Sequence, residues 1–246
     1  MQDEIVTHLL RLNQQFYQIF AEDFAETRGR LQPGVMQAMN SIPRDASVLD
    51  LGCGNGEVLR ELTRGQHQGT YLGLDLSPGL LSIARQKCEH PRARFHLADL
   101  ADPSWVEKLP TPSEKYTEWS YDRILAFAVL HHIPGAALRL NLTRQVHDRL
   151  TDDGQFMLSN WNFMASPRLR ARIVPWDAIE LDQSDVDPGD HLLDWRRGGH
   201  GLRYVHQFDE DELGDLAVAT GFSVVETTYS DGEGGRLGLY QVWEKS

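Results

Sequence analysis

Residues 47–56 read Ser-Val-Leu-Asp-Leu-Gly-Cys-Gly-Asn-Gly, and this stretch decides the fold of the chain. Val48, Leu49 and Leu51 form a short apolar run that is typical of a buried parallel strand, and residues 57–62 continue with helical spacing. The three glycines between them allow a tight turn and a close approach of the backbone to a ligand, and the following helix offers free N–H groups at its start. The stretch therefore predicts a strand, a binding turn and a helix.

Two details bear on which ligand such a turn would bind. The fingerprint for a dinucleotide pyrophosphate has its third glycine at the position of Glu57, whereas this chain has it one residue earlier, at Gly56. A carboxylate at that helix start would oppose a phosphate, and Asp50 places negative charge where a cationic amino-acid group would sit. A strand-to-helix turn that binds nothing remains the alternative.

Two further strands end in acidic residues, which extends the pattern. Residues 70–75 end at Asp75 and residues 94–100 carry Asp99, so with Asp50 three predicted strand ends bear a carboxylate. In a doubly wound sheet an acid at the end of the second strand reaches a ribose diol, and Asp99 is the candidate for an adenine amino group. With strands at residues 221–229 and 238–244, the order predicts an α/β fold: a doubly wound, mostly parallel, seven-stranded Rossmann-like sheet with a C-terminal antiparallel hairpin.

Length and composition limit the possible organisation and partners. The 246 residues suffice for one sizeable core, so residues 1–246 are expected to form a single domain. The 36 acidic residues against 24 Lys and Arg give a charge of −12, which opposes autonomous, non-specific nucleic-acid binding. A local basic patch, or a partner subunit that supplies positive charge, remains compatible with this balance.

Cysteine content and hydropathy bear on the compartment. Cys53 and Cys88 are the only cysteines, which indicates neither a disulfide framework nor a thiolate zinc site. The sequence has no apolar run long enough to cross a bilayer, so we expect no membrane association and a cytoplasmic location.

Two regions lie outside the alternating pattern. Residues 1–42 show apolar positions at helical spacing and predict an N-terminal helical cap. Residues 162–203 are rich in Asp, Pro, Gly and Trp, and a loop of that length is usually functional, so it predicts a substrate-side insertion over the active-site mouth. His131 and His132 follow the fourth strand, but no third ligand stands at a suitable spacing, so no metal site is expected.

The glycine turn and the stretch at residues 128–134 resemble motifs I and IV of the class I S-adenosylmethionine (SAM) methyltransferases. The resemblance covers about residues 43–161 and 209–246. Residues 17–28, 128–132, 174–176 and 203–208 also resemble the wobble-uridine tRNA methyltransferases that esterify a carboxymethyl group. The resemblance to the class I methyltransferases implies that SAM is the cofactor. The residues that it implies for SAM binding are Asp50, Gly52, Gly54, Asn55, Asp75, Leu76, Asp99, Leu100 and Phe127.

Methyl transfer from a sulfonium is an in-line displacement, so the protein mainly has to position the acceptor. A carboxylate acceptor needs no base but does need cationic or hydrogen-bonding partners, for which Arg28, Arg203, Tyr204 and His206 are the candidates. The alternative is that these arginines pair with surface acids.

These observations lead to a functional hypothesis with two alternatives. We expect a methyltransferase acting on an acidic small molecule or a modified tRNA base, with a small activating protein as a further expected partner. The first alternative is a SAM-binding or partner-binding module without turnover. The second and more distant one is an NAD-dependent dehydrogenase, which Glu57 and the lack of a Tyr-x-x-x-Lys pair disfavour.

Overall fold

The structure is a computed structural model that describes residues 1–21, 23, 30–109, 120–232 and 234–246. The strands are β1 (Val48–Leu51), β2 (Tyr71–Asp75), β3 (Ala93–Leu97), β4 (Tyr121–Phe127), β5 (Leu150–Trp161), β6 (Ile173–Val174), β7 (Asp190–Trp195), β8 (Gly201–His206), β9 (Phe222–Ser230) and β10 (Gly238–Lys245). The helices are α1 (Asp3–Ile19), α2 (Pro33–Met39), α3 (Glu57–Arg64), α4 (Pro78–Lys87), α5 (Ala136–Arg149), α6 (Pro167–Arg170) and α7 (Glu210–Ala219). Short 3₁₀ turns include Leu130–His132 and Phe163–Ala165.

Seven strands form the main sheet in the order β3-β2-β1-β4-β5-β10-β9. The first five pair in parallel, and β10 is antiparallel to both β5 and β9, which confirms the predicted fold class. The chain runs outward from β1 to β3 and then returns to β4 on the other side of β1. In such sheets ligands bind at this reversal, beyond the carboxyl ends of the strands.

Alternating side chains place apolar residues on both faces of the sheet. Ile124 of β4 and Phe156 of β5 belong to one buried cluster, and the neighbouring Leu125 and Met157 belong to another. Because side chains along a strand alternate between faces, two clusters require helices on both sides, as a doubly wound sheet provides. The strand β1 is buried along its whole length for the same reason.

The region predicted as an insertion at residues 162–203 contains regular structure of its own. β6, β7 and β8 form a separate three-stranded antiparallel sheet. β8 pairs with β7 and not with a strand of the main sheet. In the main sheet, β5 begins at Leu150 and runs through residues 151–154, with an irregular register against Tyr121 and Arg123 of β4.

Asn13 attaches α1 to the smaller sheet. Its amide oxygen accepts a hydrogen bond from the Tyr204 N–H (2.8 Å), and its amide nitrogen donates to the Tyr204 carbonyl (3.1 Å) and the His132 carbonyl (3.2 Å). The side chain is buried, so it satisfies backbone groups that would otherwise lack partners. α1, β8 and the turn after β4 are thereby held together. No helix among the described residues is long and apolar enough to span a membrane.

Candidate active site

A cavity of about 460 Å³ lies at the carboxyl ends of the central strands, beneath segments from α1, α6 and β8. Its volume falls in the range usual for small-molecule sites. The nine residues predicted to bind the cofactor all line it: Asp50, Gly52, Gly54, Asn55, Asp75, Leu76, Asp99, Leu100 and Phe127. The topology explains this, because parallel strands bring their carboxyl ends to one edge of the sheet.

The glycine turn adopts a backbone that other residues rarely reach. Gly52, Gly54 and Gly56 have φ values of 70°, 55° and 81°, all in the left-handed region. A Cβ at Gly52 would also lie 2.7 Å from Cγ2 of Val129, whereas a Cβ at Gly54 would meet nothing within 4 Å. Backbone conformation therefore requires glycine at both positions, and packing requires it at Gly52 as well.

Asp75 is oriented by two backbone donors. Its Oδ2 accepts from the Gly54 N–H and its Oδ1 from the Ser77 N–H, both at 2.8 Å. Burial raises the pKa of Asp75, and these hydrogen bonds offset part of that rise. An ionised carboxylate has about four acceptor positions, so two remain for the hydroxyls of a ribose. This geometry fits the predicted ribose contact.

Asp50 is buried beneath the glycine turn and is 2 % exposed. Burial raises its pKa to about 7, the hydroxyl of Tyr71 offsets part of this by donating to Oδ2 at 2.5 Å, and the charge of Asp75 adds to the rise. A carboxylate held at such a cost is stabilised by a nearby positive charge. A ligand with a cationic amino group fits this end of the cavity.

Glu57 is not an uncompensated negative charge. Nη1 of Arg60 lies 2.6 Å and 2.8 Å from its two carboxylate oxygens. This ion pair weakens the expectation that Glu57 repels a phosphate, because the positive charge of Arg60 lies against the carboxylate. The preference for a cationic ligand therefore depends on Asp50 and Asp75.

Arg203 reaches the same cavity from β8. Its guanidinium lies over three rings, 4.4 Å from the centroid of Trp161, 5.3 Å from Phe16 and 5.5 Å from Trp195, and the residue is 3 % exposed. Such stacking fixes the plane of the guanidinium. Arg30, Arg168 and Arg172 also line the cavity.

Tyr204 and His206 are turned away from the cavity, because residues 204 and 206 lie on the face of β8 opposite Arg203. The Tyr204 hydroxyl donates to Oδ1 of Asp190 at 2.6 Å, the same oxygen that lies 2.6 Å from Nδ1 of His206. Nε2 of His206 is 2.9 Å from Glu212. Burial lowers the pKa of His206, but the two carboxylates outweigh it and the net pKa is raised.

This position makes Tyr204 and His206 part of a buried polar network that joins the small sheet to α7. These two side chains were predicted to contact the acceptor, but in the structure they do not line the cavity. Arg28, the remaining predicted residue, lies outside the described residues.

Tyr17 and His132 line the cavity and were not predicted. The Tyr17 hydroxyl is 2.8 Å from Nε2 of His132, whose Nδ1 is 3.3 Å from the Tyr204 carbonyl. His131 is fully buried and stacks on Trp161 with ring centroids 5.3 Å apart, so it has a packing role. Within the described ranges, no three potential metal ligands cluster together.

Arg168 of α6 and Arg172, which lies two residues beyond the end of that helix, line the cavity and were also not predicted, although the sequence carried a usable signal. Arg168 and Arg172 have the four-residue spacing that places side chains on one face of a helical turn. Residues 162–203 were predicted to be an irregular loop, and in an irregular loop a four-residue spacing does not place side chains on one face. The side chains of Tyr17 and Asn13, by contrast, reach the site only because α1 packs on β8.

The known proteins that this chain resembles are methyltransferases. A sequence model of the methyltransferase domain matches residues 24–227. The Schizosaccharomyces pombe tRNA (carboxymethyluridine(34)-5-O)-methyltransferase is 23 % identical over 87 % of this chain and 90 % of that protein. A trans-aconitate 2-methyltransferase of Deinococcus radiodurans is 35 % identical over 67 % of this chain and 72 % of that protein.

Solved structures show the same fold. A SAM-dependent methyltransferase from Methanosarcina mazei superposes with a TM-score of 0.64 at 20 % identity, over 87 % of this chain and 98 % of that one. A Haloferax volcanii methyltransferase in complex with the Trm112 methyltransferase activator gives 0.64 at 17 % identity, over 94 % and 96 %. At these identities the likeness establishes the architecture.

Proposed function

We propose a specific reaction on the premise that this chain belongs to the methyltransferase domain family and uses S-adenosylmethionine: it methylates a carboxylate of an acidic acceptor. When bound, the cofactor supplies an electrophilic methyl group on a sulfonium. The residues of the chain bind the two reactants, orient them and exclude water.

The cofactor would lie along the acidic strand ends. Asp50 would face its amino group, Asp75 its ribose and Asp99 its adenine, with the glycine turn allowing close backbone approach. The raised pKa of Asp50 supports the first assignment, since a cationic partner offsets the cost of burying that carboxylate. Two acceptor positions on Asp75 beyond its backbone contacts support the second.

The observation that carries the acceptor assignment is the distribution of charge around the cavity. The acidic residues lie on or directly beyond strands of the main sheet (Asp50, Asp75, Asp99 and Asp231) or at the start of α3 (Glu57). The arginines come from the segments that cover the cavity: Arg30, Arg168, Arg172 and Arg203. A carboxylate acceptor is already nucleophilic, so it needs an oriented cation rather than a base. The stacked guanidinium of Arg203 is suited to that role.

Two acceptor classes share this chemistry. Both relatives named above methylate molecules that carry a carboxyl group, one a carboxymethylated uridine of tRNA and the other a small tricarboxylate. The charge of −12 favours the small acid for the isolated chain, because a polyanion would be repelled. A tRNA acceptor would require a partner that supplies positive charge, and a structural neighbour does form a complex with an activator protein.

The test is to incubate the full chain with methyl-labelled SAM and either trans-aconitate or tRNA bearing carboxymethyluridine. Methyl esters hydrolyse in mild alkali and release volatile methanol, whereas N-methyl and ether products retain the label. We expect alkali-labile label in the small acid. Stable label would contradict a carboxylate acceptor, and SAM binding with no transfer to either probe would favour the alternative, a binding module without turnover.

A further inference from the structure

We propose that the acceptor carries at least two anionic groups, and that Arg168 and Arg172 bind a group remote from the carboxylate that is methylated. The inference rests on the proposed function and narrows it to small polycarboxylates. Arg168 and Arg172 both line the cavity. If the acceptor had a single carboxylate and Arg203 bound it, these two arginines would have no negative charge to bind.

Local structure fixes the direction of both side chains. The Ser166 Oγ accepts from the Leu169 N–H at the start of α6, and Leu169 packs against the buried cluster that contains Phe163. The Arg172 carbonyl accepts from the Asp194 N–H of β7 at 2.9 Å, so the last turn is attached to the small sheet. With both ends held, Arg168 in α6 and Arg172 in the turn that follows it both line the cavity.

The charges of these two arginines have no internal partner in the part of the chain that the structure describes. Other arginines do: Arg60 pairs with Glu57, Arg64 with Glu61, Arg196 with Asp194, and Arg139 with Glu212. Arg168 and Arg172 form no ion pair with a described carboxylate, although this protein has an excess of acids. A cavity wall with two such guanidinium groups attracts a multiply charged anion.

Arg170 supplies an internal control for the size of that anion. It belongs to α6, as Arg168 does, and both are exposed, but only Arg168 lines the cavity. A small polycarboxylate inside the cavity would contact Arg168 and Arg172 and leave Arg170 unaffected. A nucleic-acid backbone lying across the outer surface would use Arg170 as well, with a steep dependence on salt.

The experiment is calorimetric titration of the full chain, saturated with S-adenosylhomocysteine, with trans-aconitate, glutaconate and crotonate, which carry three, two and one carboxylates. We expect affinity to increase with the number of carboxylates. Replacing both arginines (Arg168→Gln with Arg172→Gln) should weaken trans-aconitate binding by about tenfold and crotonate binding by less than about twofold, as for partly exposed charge pairs. Arg170→Gln should behave as the unmodified protein.

Equal affinity for the three acids, or no trans-aconitate binding at millimolar concentration, would overturn the inference. So would an equal loss in Arg170→Gln, which would indicate surface attraction of a polyanion such as RNA. The two proposals can fail separately. Polycarboxylate binding without alkali-labile methyl transfer contradicts the proposed reaction alone, whereas transfer that is equally efficient in the double variant contradicts this inference alone.

Discussion

Replacing Tyr71 by Phe tests whether Asp50 receives the cationic group of the cofactor. The Tyr71 hydroxyl donates to a buried Asp50 oxygen at 2.5 Å and lowers the pKa of that carboxyl, which burial has raised to about 7. Removing this hydrogen bond destabilises the charged form only, so the pKa of Asp50 must rise. A hydrogen bond to a charged group contributes about 1.5–3 kcal/mol, and 1.36 kcal/mol corresponds to one pKa unit, so we expect a rise of about 1–2.

The expected change in SAM affinity follows from the fraction of Asp50 that is ionised. At about pH 7 that fraction is roughly one half in the unmodified protein, and roughly 1–10 % after a rise of that size. If only ionised Asp50 binds the cofactor's amino group, SAM affinity at neutral pH falls about 5- to 50-fold in Tyr71→Phe. Near pH 9.5 both proteins are largely ionised, and the difference shrinks to about twofold or less.

Calorimetric titration with SAM between pH 6 and 9.5 measures this directly. The matched control is Tyr229→Phe, which removes a hydroxyl that donates to Glu210 on the protein surface and should leave the profile unchanged. Thermal melts confirm that both variants are folded. A folded Tyr71→Phe variant with an unchanged inflection and unchanged neutral-pH affinity would refute the assignment of Asp50.

Three further substitutions test other parts of the site. Asp75→Ala should weaken SAM binding by about 1–3 kcal/mol, because it removes the ribose acceptor, and it also leaves the Gly54 N–H without its partner; an unchanged dissociation constant would place the ribose elsewhere. Asn13→Ala loses three buried hydrogen bonds and should lower the free energy of unfolding by about 2–4 kcal/mol in urea denaturation, while the exposed control Gln14→Ala should change it by less than about 0.5 kcal/mol. Arg203→Ala should lower kcat/KM about 100-fold with SAM affinity retained, and Arg203→Lys should recover part of it; normal turnover per folded molecule would make Arg203 purely structural.

The cofactor half of the cavity could be predicted because its determinants are local in sequence. The glycine turn follows β1 directly, Asp50 and Asp75 lie in the last two residues of their strands, and Asp99 lies two residues beyond β3. Once the parallel order is known, geometry alone brings Asp50, Asp75 and Asp99 together. No long-range contact had to be predicted for these residues.

The acceptor half could not be predicted in the same way. Whether Arg203 or Tyr204 faces the cavity depends on which face of β8 packs against α1. The alternating pattern of the strand alone does not determine which face that is. Asn13 attaches α1 to β8 by bonding to the backbone of Tyr204, 191 positions later. The four-residue spacing of Arg168 and Arg172 is visible in the sequence, but the shared direction of the two residues depends on α6 and on the turn that follows it.

The long separation between Asn13 and Tyr204 also has a consequence for how the protein is made. Synthesis of the intervening 191 residues at about 5–20 residues per second takes on the order of 10–40 s. Throughout that time α1 has emerged before the strand that covers it, so Leu9 and Phe16, which are buried in the finished protein, have no partner on β8. The nascent chain thus presents an apolar helical stripe for many seconds, and we expect ribosome-associated chaperones to bind it until β8 arrives.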